Sequence, residues 1–343
     1  MSGPLPPSEP GLRSQPVPSC AVCGSAGVTL HQDLTDRTYG APGTWRTVRC
    51  PEPTCGLVWL DPAPEEEELP RAYHGYHTHD APPRRPAWTA VARRWVREGY
   101  FASRFGYRMR GSWAKRLLAL GLLPHPGLRA GLDAAIMYLA PRPGGRVVDV
   151  GCGGGWMLAQ LRDLGWQVEG VDFDPQAAAV AAARGLTVHV GSLGQQRYPE
   201  AAFDAVTMSH VLEHVPNPAG LLVECRRVLK PEGRIVVVTP NAGSLGHARF
   251  GPDWRGLEPP RHLQVFTGPA LGRLARSAGL RVLVLRSSAT GAAFFHAESR
   301  RILGEASASP QDVRARRFAR EERRRLGSDP WAGEELLLVG TRP

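Results

Sequence analysis

From residue 144 onward the chain alternates short apolar runs with amphipathic stretches. The runs are "RVVDV" (146–150), "QVEGVD" (167–172), "LTVHV" (186–190), "FDAVTM" (203–208), "RIVVVTP" (234–240), "RVLVLRSS" (281–288) and "EELLLVGT" (334–341). Each is short, rich in β-branched residues and bounded by Gly, Pro or charge, which reads as a strand. Between them, "WMLAQLRDLG", "NPAGLLVECRRVL" and "LGRLARSAGL" repeat their apolar residues with helical period. Strands alternating with helices predict an α/β fold with a doubly wound, mostly parallel sheet.

Upstream the pattern changes twice. "TWRTVRC" and "GLVWLDP" read as short strand-like pieces among turns. Further on, Trp88, Val91, Trp95, Val96, Phe101 and Phe105 recur at roughly helical spacing, predicting an amphipathic helix or helix pair. The first 17 residues, Pro- and Ser-rich without an apolar core, read as a disordered tail rather than a signal peptide. No run approaches the roughly 18 uninterrupted apolar residues of a membrane span. The reading is therefore a cytoplasmic protein, with peripheral membrane contact as an option.

Composition sharpens this in one place. The net charge of +10 over 343 residues is unevenly spread: between Arg84 and Arg116 there are ten Arg or Lys and one acid, Glu98. Such a face can serve a membrane surface, a nucleic acid or an anionic substrate, or be a solvated linker. The expected organisation is a tail (1–17), a ribbon (18–62), a basic helical linker or lid (63–140) and an α/β domain (141–343) with a helical insertion at about 294–328.

Four of the six cysteines fall in one block, Cys20 and Cys23 in "CAVC" and Cys50 and Cys55 in "CPEPTC". Two thiolate pairs on tight turns suit tetrahedral Zn2+, and Gly24 and Gly56 follow where a knuckle needs positive φ. With four cysteine ligands the site would be closed and structural. His74, His77 and His79 cluster in a loop-like stretch and are read as polar linker or lid.

The first strand of the α/β part runs into Gly151, Gly153 and Gly155, spaced i, i+2, i+4, before a helix. That spacing differs from the dinucleotide fingerprint G-x-G-x-x-G. Asp149 just ahead of it favours a ligand ammonium and would repel a pyrophosphate. Asp172, at the end of the next strand and followed by Phe173, can accept ribose hydroxyls. A nucleoside carrying an amino-acid cation fits better than NAD.

On these residues the chain resembles the class I S-adenosylmethionine-dependent methyltransferases, and the resemblance runs from about Pro141 to Pro343. It implies a Rossmann-like seven-stranded sheet with strand 7 antiparallel, inserted between strands 5 and 6. It also implies S-adenosylmethionine as cofactor, with Ser192 and Leu193 at the adenine and Ser209 at the methionine part.

"MSHVLEHVP" (208–216) offers a second chemistry, because His210-x-x-Glu213-His214 matches an inverted zinc-protease signature. That reading needs a continuous helix, yet a strand leads in and Pro216 and Pro218 follow. At a strand's carboxyl end the turn instead borders the cofactor crevice, where His210, His214 and His262 are candidate general bases. Similar quinone-pathway O-methyltransferases carry "EH" at this turn, and the resemblance leaves a divalent cation such as Mg2+ as an option. The leading expectation is methylation, at oxygen, of a small molecule, a sugar or a lipid-linked glycan or natural-product intermediate. An RNA base methyltransferase gripping phosphate with ribbon and basic face ranks second, and nucleic acid ranks below a small acceptor as partner.

Overall fold

The computed structural model describes residues 11–73, 87–108 and 112–343. His74, His77, His79, residues 1–10 and part of the basic segment lie outside the described residues.

Seven strands form the main sheet: β1 (Arg146–Val150), β2 (Gln167–Asp172), β3 (Thr187–Val190), β4 (Phe203–Ser209), β5 (Leu229–Pro240), β6 (Arg281–Ser288) and β7 (Glu335–Thr341). Their spatial order is β6-β7-β5-β4-β1-β2-β3. β7 runs antiparallel to both neighbours, with Val237 opposite Leu338 and Leu285 opposite Leu338 on its other side. The centre is apolar on both faces because helices cover both: Val147, Val148, Val206, Ile235, Val237, Leu336 and Leu338 are fully buried. Inserting β7 antiparallel brings its first residue, Glu335, to the carboxyl ends of β4 and β5.

The ribbon contributes Val28–Leu34, Trp45–Arg49 and Val58–Leu60 as an antiparallel meander. It is not a separate bead. Gln264–Val265 of the α/β part adds a fourth strand, pairing with Trp59 and Val58. Cys20, Cys50, Cys55, Leu57 and Trp59 belong to the same apolar cluster as Phe266, Leu271 and Leu336. The hydroxyl of Thr267, the N-cap of helix Gly268–Ser277, donates to the Cys55 carbonyl. The ribbon thus packs its apolar face into the main core, which a 45-residue unit cannot supply alone.

Two expectations need correction. The disordered tail does not extend to residue 17: Ser14–Gln15 pair with Ala63–Pro64, Leu12 is buried, and Trp59 Nε1 donates to the Val17 carbonyl. Nor is the described part of 87–139 a solvated linker. Phe101, Tyr107, Ile136 and Leu139 pack with Val147, Leu161, Val236 and Leu337 on one face of the sheet. Tyr107 fixes the layer, donating to the Leu139 carbonyl and accepting from Trp166 Nε1. Beyond β6, helices Ala292–Ile302 and Val313–Arg325 pack through Ala292, Phe318 and Ala319. No helix among the described residues is long and apolar enough to cross a membrane.

Candidate active site

Gly151, Gly153 and Gly155 all take positive φ (69°, 52° and 74°), the left-handed region that side chains resist. A Cβ at Gly151 would lie 2.3 Å from Val211, and one at Gly155 2.4 Å from Leu186. The i, i+2, i+4 glycines are therefore demanded by backbone conformation, and at 151 and 155 by space as well. The loop is tied to the next strand: the Gly153 N–H donates to Asp172 Oδ2 at 2.7 Å, and the Asp174 N–H to Oδ1 at 2.9 Å. A carboxylate offers about four lone pairs, so Asp172 keeps acceptor capacity for two ribose hydroxyls.

Asp149 is buried on β1 and accepts a 2.7 Å bond from the Thr207 hydroxyl on the adjacent strand. Burial, with a smaller contribution from Asp172, lifts its pKa to about 8 against the Thr207 bond. Phe173 stands 72% exposed beside Asp172. Ser192 is engaged locally, its backbone N–H donating to the Gln195 side chain and its hydroxyl accepting from Gln195 N–H. The Leu193 side chain is buried in the core rather than turned to the crevice, leaving its backbone as the part that can border a ligand.

The histidine turn is not helical. Ser209 ends β4, His210 sits at φ 55°, and Leu212–His214 form one 3-10 turn. His210 and His214 therefore share no helix face, which removes the protease reading. The three histidines are in different states. His210 Nε2 lies 2.9 Å from Glu335 Oε1 and Nδ1 lies 3.3 Å from Glu213 Oε1. Burial would lower its pKa, but hydrogen bonds to these two carboxylates raise it to about 10. Glu213 responds in reverse: burial opposes ionisation, yet His210 and the neighbouring His214 and His262 bring it to about 2, and Thr239 donates to Oε2. Glu213 and Glu335 thus favour the charged form of His210, which weighs against it as the general base.

His262 is enclosed, with Nδ1 2.7 Å from the Gly256 carbonyl, and burial pushes its pKa down to about 4. His214 is only partly buried, with Nδ1 3.0 Å from the Arg261 carbonyl and 2.8 Å from the Tyr73 hydroxyl. A carbonyl only accepts, so Nδ1 carries the hydrogen in both rings; that leaves His214 Nε2 with a lone pair, whereas His262 Nε2 faces Glu258 Oε2 at 3.4 Å. The two rings meet edge to face at 4.6 Å.

One oxygen of Glu213 and one ring nitrogen each of His214 and His262 lie within 4.8 Å of one another. Two imidazoles and one carboxylate suit a transition cation; Mg2+ prefers oxygen donors, so the Mg2+ expectation does not match this set. The other cluster is the four-cysteine centre. All four Sγ atoms lie within 4.8 Å, none is in a disulfide, and Gly24 and Gly56 take positive φ as knuckle turns require. The contacts Cys20–Cys55 at 3.6 Å and Cys23–Cys50 at 3.3 Å approach the ~3.8 Å edge of a tetrahedron with Zn–S bonds of ~2.3 Å.

Thr207, Glu335, Tyr73 and Thr239 enter the site without having been foreseen. Thr207 and Glu335 carried a faint signal, as polar residues within or opening otherwise apolar strands. Tyr73 carried none.

The chain is similar to known methyltransferases. Residues 127–285 match a family model described as a methyltransferase domain. A ubiquinone biosynthesis O-methyltransferase of Xanthomonas oryzae pv. oryzae is 37% identical over 162 residues, 43% of this chain and 68% of that protein. The enzyme of the same description from Burkholderia pseudomallei is 32% identical over 160 residues, 43% of this chain and 69% of that one. A solved S-adenosylmethionine-dependent methyltransferase from Mesorhizobium loti aligns at 20% identity with a TM-score of 0.45, covering 62% of this chain and 98% of that one. The chain belongs to the class I S-adenosylmethionine-dependent methyltransferases. It is an enzyme of methyl transfer.

Proposed function

We propose that this enzyme methylates a hydroxyl oxygen of a small molecule, with His214 as the base that takes the hydroxyl proton. The observation that carries the reading is the division of labour among the three histidines. His210 is held charged by Glu213 and Glu335, and His262 is enclosed, whereas His214 is anchored at Nδ1 and keeps a free lone pair at Nε2. Tyr73, brought from beside the ribbon, braces the same ring. The O-methyltransferase descriptions of the relatives support oxygen as the acceptor atom.

Asp149, the glycine loop, Asp172, Phe173 and the backbone at Ser209 form the cofactor side of this reading. Bound S-adenosylmethionine supplies an electrophilic methyl on a sulfonium. The chain's own work is positioning and proton removal: Asp149 takes the ammonium, Asp172 the ribose, and His214 Nε2 receives the acceptor proton while the Arg261 carbonyl stabilises the imidazolium formed. The four cysteines hold a structural Zn2+. Within small acceptors, the reading extends to sugars and lipid-linked glycan or natural-product intermediates.

A second reading rests on the Glu213–His214–His262 cluster. These residues would hold a transition cation, which would polarise the acceptor hydroxyl as a Lewis acid. The two readings separate cleanly. His214→Ala should lower kcat at least about a hundredfold with cofactor affinity unchanged. Metal analysis should find about one zinc per chain, unaffected by His262→Ala. A second equivalent lost in that variant would favour the cation. Transfer from a carbon-13 methyl donor to cell-extract fractions should give a methoxy resonance, and an N-methyl or C-methyl product would refute the oxygen assignment.

A further inference from the structure

Eight of the eighteen large apolar side chains exposed among the described residues fall between Val91 and Leu128. They include Trp95, Trp113, Leu117, Leu120, Leu123 and Leu128, with Trp113 73% exposed. A soluble surface rarely gathers so many in one place without using them. The same stretch, 91–132, carries nine Arg or Lys and one acid, Glu98, which is already engaged by Arg94 and Lys115.

Part of this stretch lines a cleft of about 420 Å³ formed by helices Ala87–Arg104, Ser112–Ala119 and Pro126–Ala135, with Arg286 of β6. Arg104, Arg116, Arg129 and Arg286 line it, facing one carboxylate, Asp133, which accepts from the Tyr100 hydroxyl. Arg129 Nε is buried without a hydrogen-bond partner. Leu120 and Leu123 line the same cleft and are themselves exposed.

We propose that this face docks on an anionic lipid bilayer, a phosphodiester headgroup entering the arginine cleft while Trp113, Leu117, Leu120 and Leu123 enter the acyl boundary. Charge complementarity and the mixture of side chains both select this occupant. Arginine beside leucine and tryptophan is the composition of interfacial helices, whereas a nucleic acid would exploit stacking aromatics more than leucines. The surface also adjoins the catalytic end of the sheet. Helix Pro126–Ala135 leads into Met137 and Tyr138, which line a small cavity with Ser209 and Glu335. An acceptor with an apolar tail would therefore reach the crevice from the bilayer along the protein's own surface. The docking itself does not depend on which base or acceptor atom the enzyme uses.

Co-sedimentation of the full chain with vesicles tests this without any methyl-transfer readout. Binding is expected to vesicles of phosphatidylglycerol and phosphatidylcholine in equal parts, falling steeply with salt, and not to phosphatidylcholine alone. Arg116→Gln with Arg129→Gln should weaken it about thirtyfold, taking about 1 kcal/mol per surface charge. Trp113→Ala with Leu117→Ala, both on exposed positions, should also weaken it while leaving the thermal unfolding midpoint in place. Equal binding to both vesicle types, or binding untouched by either double variant, would overturn the proposal. So would complete competition by millimolar glycerophosphate, which would mark a free-phosphate site, or by short RNA. Self-association abolished by Trp113→Ala, with no vesicle binding, would assign the face to a second copy instead.

Discussion

With Asp149 as the proposed partner of the ligand ammonium, cofactor affinity should depend on pH, and the dependence can be worked from its surroundings. Its carboxyl is buried against Thr207 and reaches a pKa of about 8, where 3.8 is ordinary. Without ligand it is therefore mostly protonated near neutrality, whereas a ligand ammonium binds the ionised form. The ionised fraction rises about fiftyfold between about pH 6 and about pH 8, and the association constant should follow it. Near neutrality, binding should also release about one proton.

Calorimetry with S-adenosylhomocysteine, which carries the same amino-acid head, in two buffers of different ionisation enthalpy reads both quantities. Asp149→Asn keeps the shape and a partner for Thr207 but loses the charge. It should abolish the proton release and weaken binding roughly 10- to 150-fold at alkaline pH, the value of a charged hydrogen bond of about 1.5–3 kcal/mol. Stability moves the other way. With its folded pKa raised, Asp149 contributes stability that is complete below its ordinary 3.8 and lost as pH rises through about 8. The ligand-free asparagine variant should accordingly outlast the parent protein in thermal melts at alkaline pH. Flat affinity across this range, with no proton released, would refute the assignment of Asp149 to the ligand ammonium.

Other variants probe the remaining supports. Asp172→Ala should abolish cofactor binding by calorimetry while far-ultraviolet circular dichroism stays native; it also frees the Gly153 N–H that Asp172 accepts. Glu335→Gln should drop the His210 pKa from about 10, seen as an imidazole titration moving down in NMR. Because that pKa is raised, the His210 ion pair stabilises the fold below about 6.5 and the contribution is lost as pH rises through about 10, so the variant's deficit in melting temperature should vanish at the alkaline end. Cys20→Ser should release the zinc proposed for the cysteine centre and lower the melting temperature of the whole chain in one transition, since ribbon and main core are continuous.

The sheet was legible in the sequence because strands buried on both faces leave unbroken apolar runs, and the glycine spacing because only glycine fits those turns. Pairings across long stretches of chain were not legible. Glu335 lies 125 residues from His210, and together with the nearby Glu213 it favours the charged form of a candidate base. Tyr73 lies 141 residues from His214. Gln264–Val265 is a two-residue strand, too short to display any period, so its union with the ribbon was invisible. The tail was misjudged for a related reason: its few apolar residues have no pattern of their own and are ordered by surfaces elsewhere, as Leu12 and Val17 show.

The shared ribbon sheet has a practical corollary for anyone wishing to isolate a minimal catalytic fragment. Cutting the chain just before residue 127 would follow the family match, yet would strip Trp59 and Leu57 from Phe266 and leave the Gln264–Val265 edge open. The loop just before that edge carries His262, and the Leu263 N–H is what holds the Glu213 carbonyl. A trimmed fragment would thus carry every residue of the methyltransferase signature and still present a raw apolar seam beside its active site. Insolubility of such a fragment would say nothing against the chemistry.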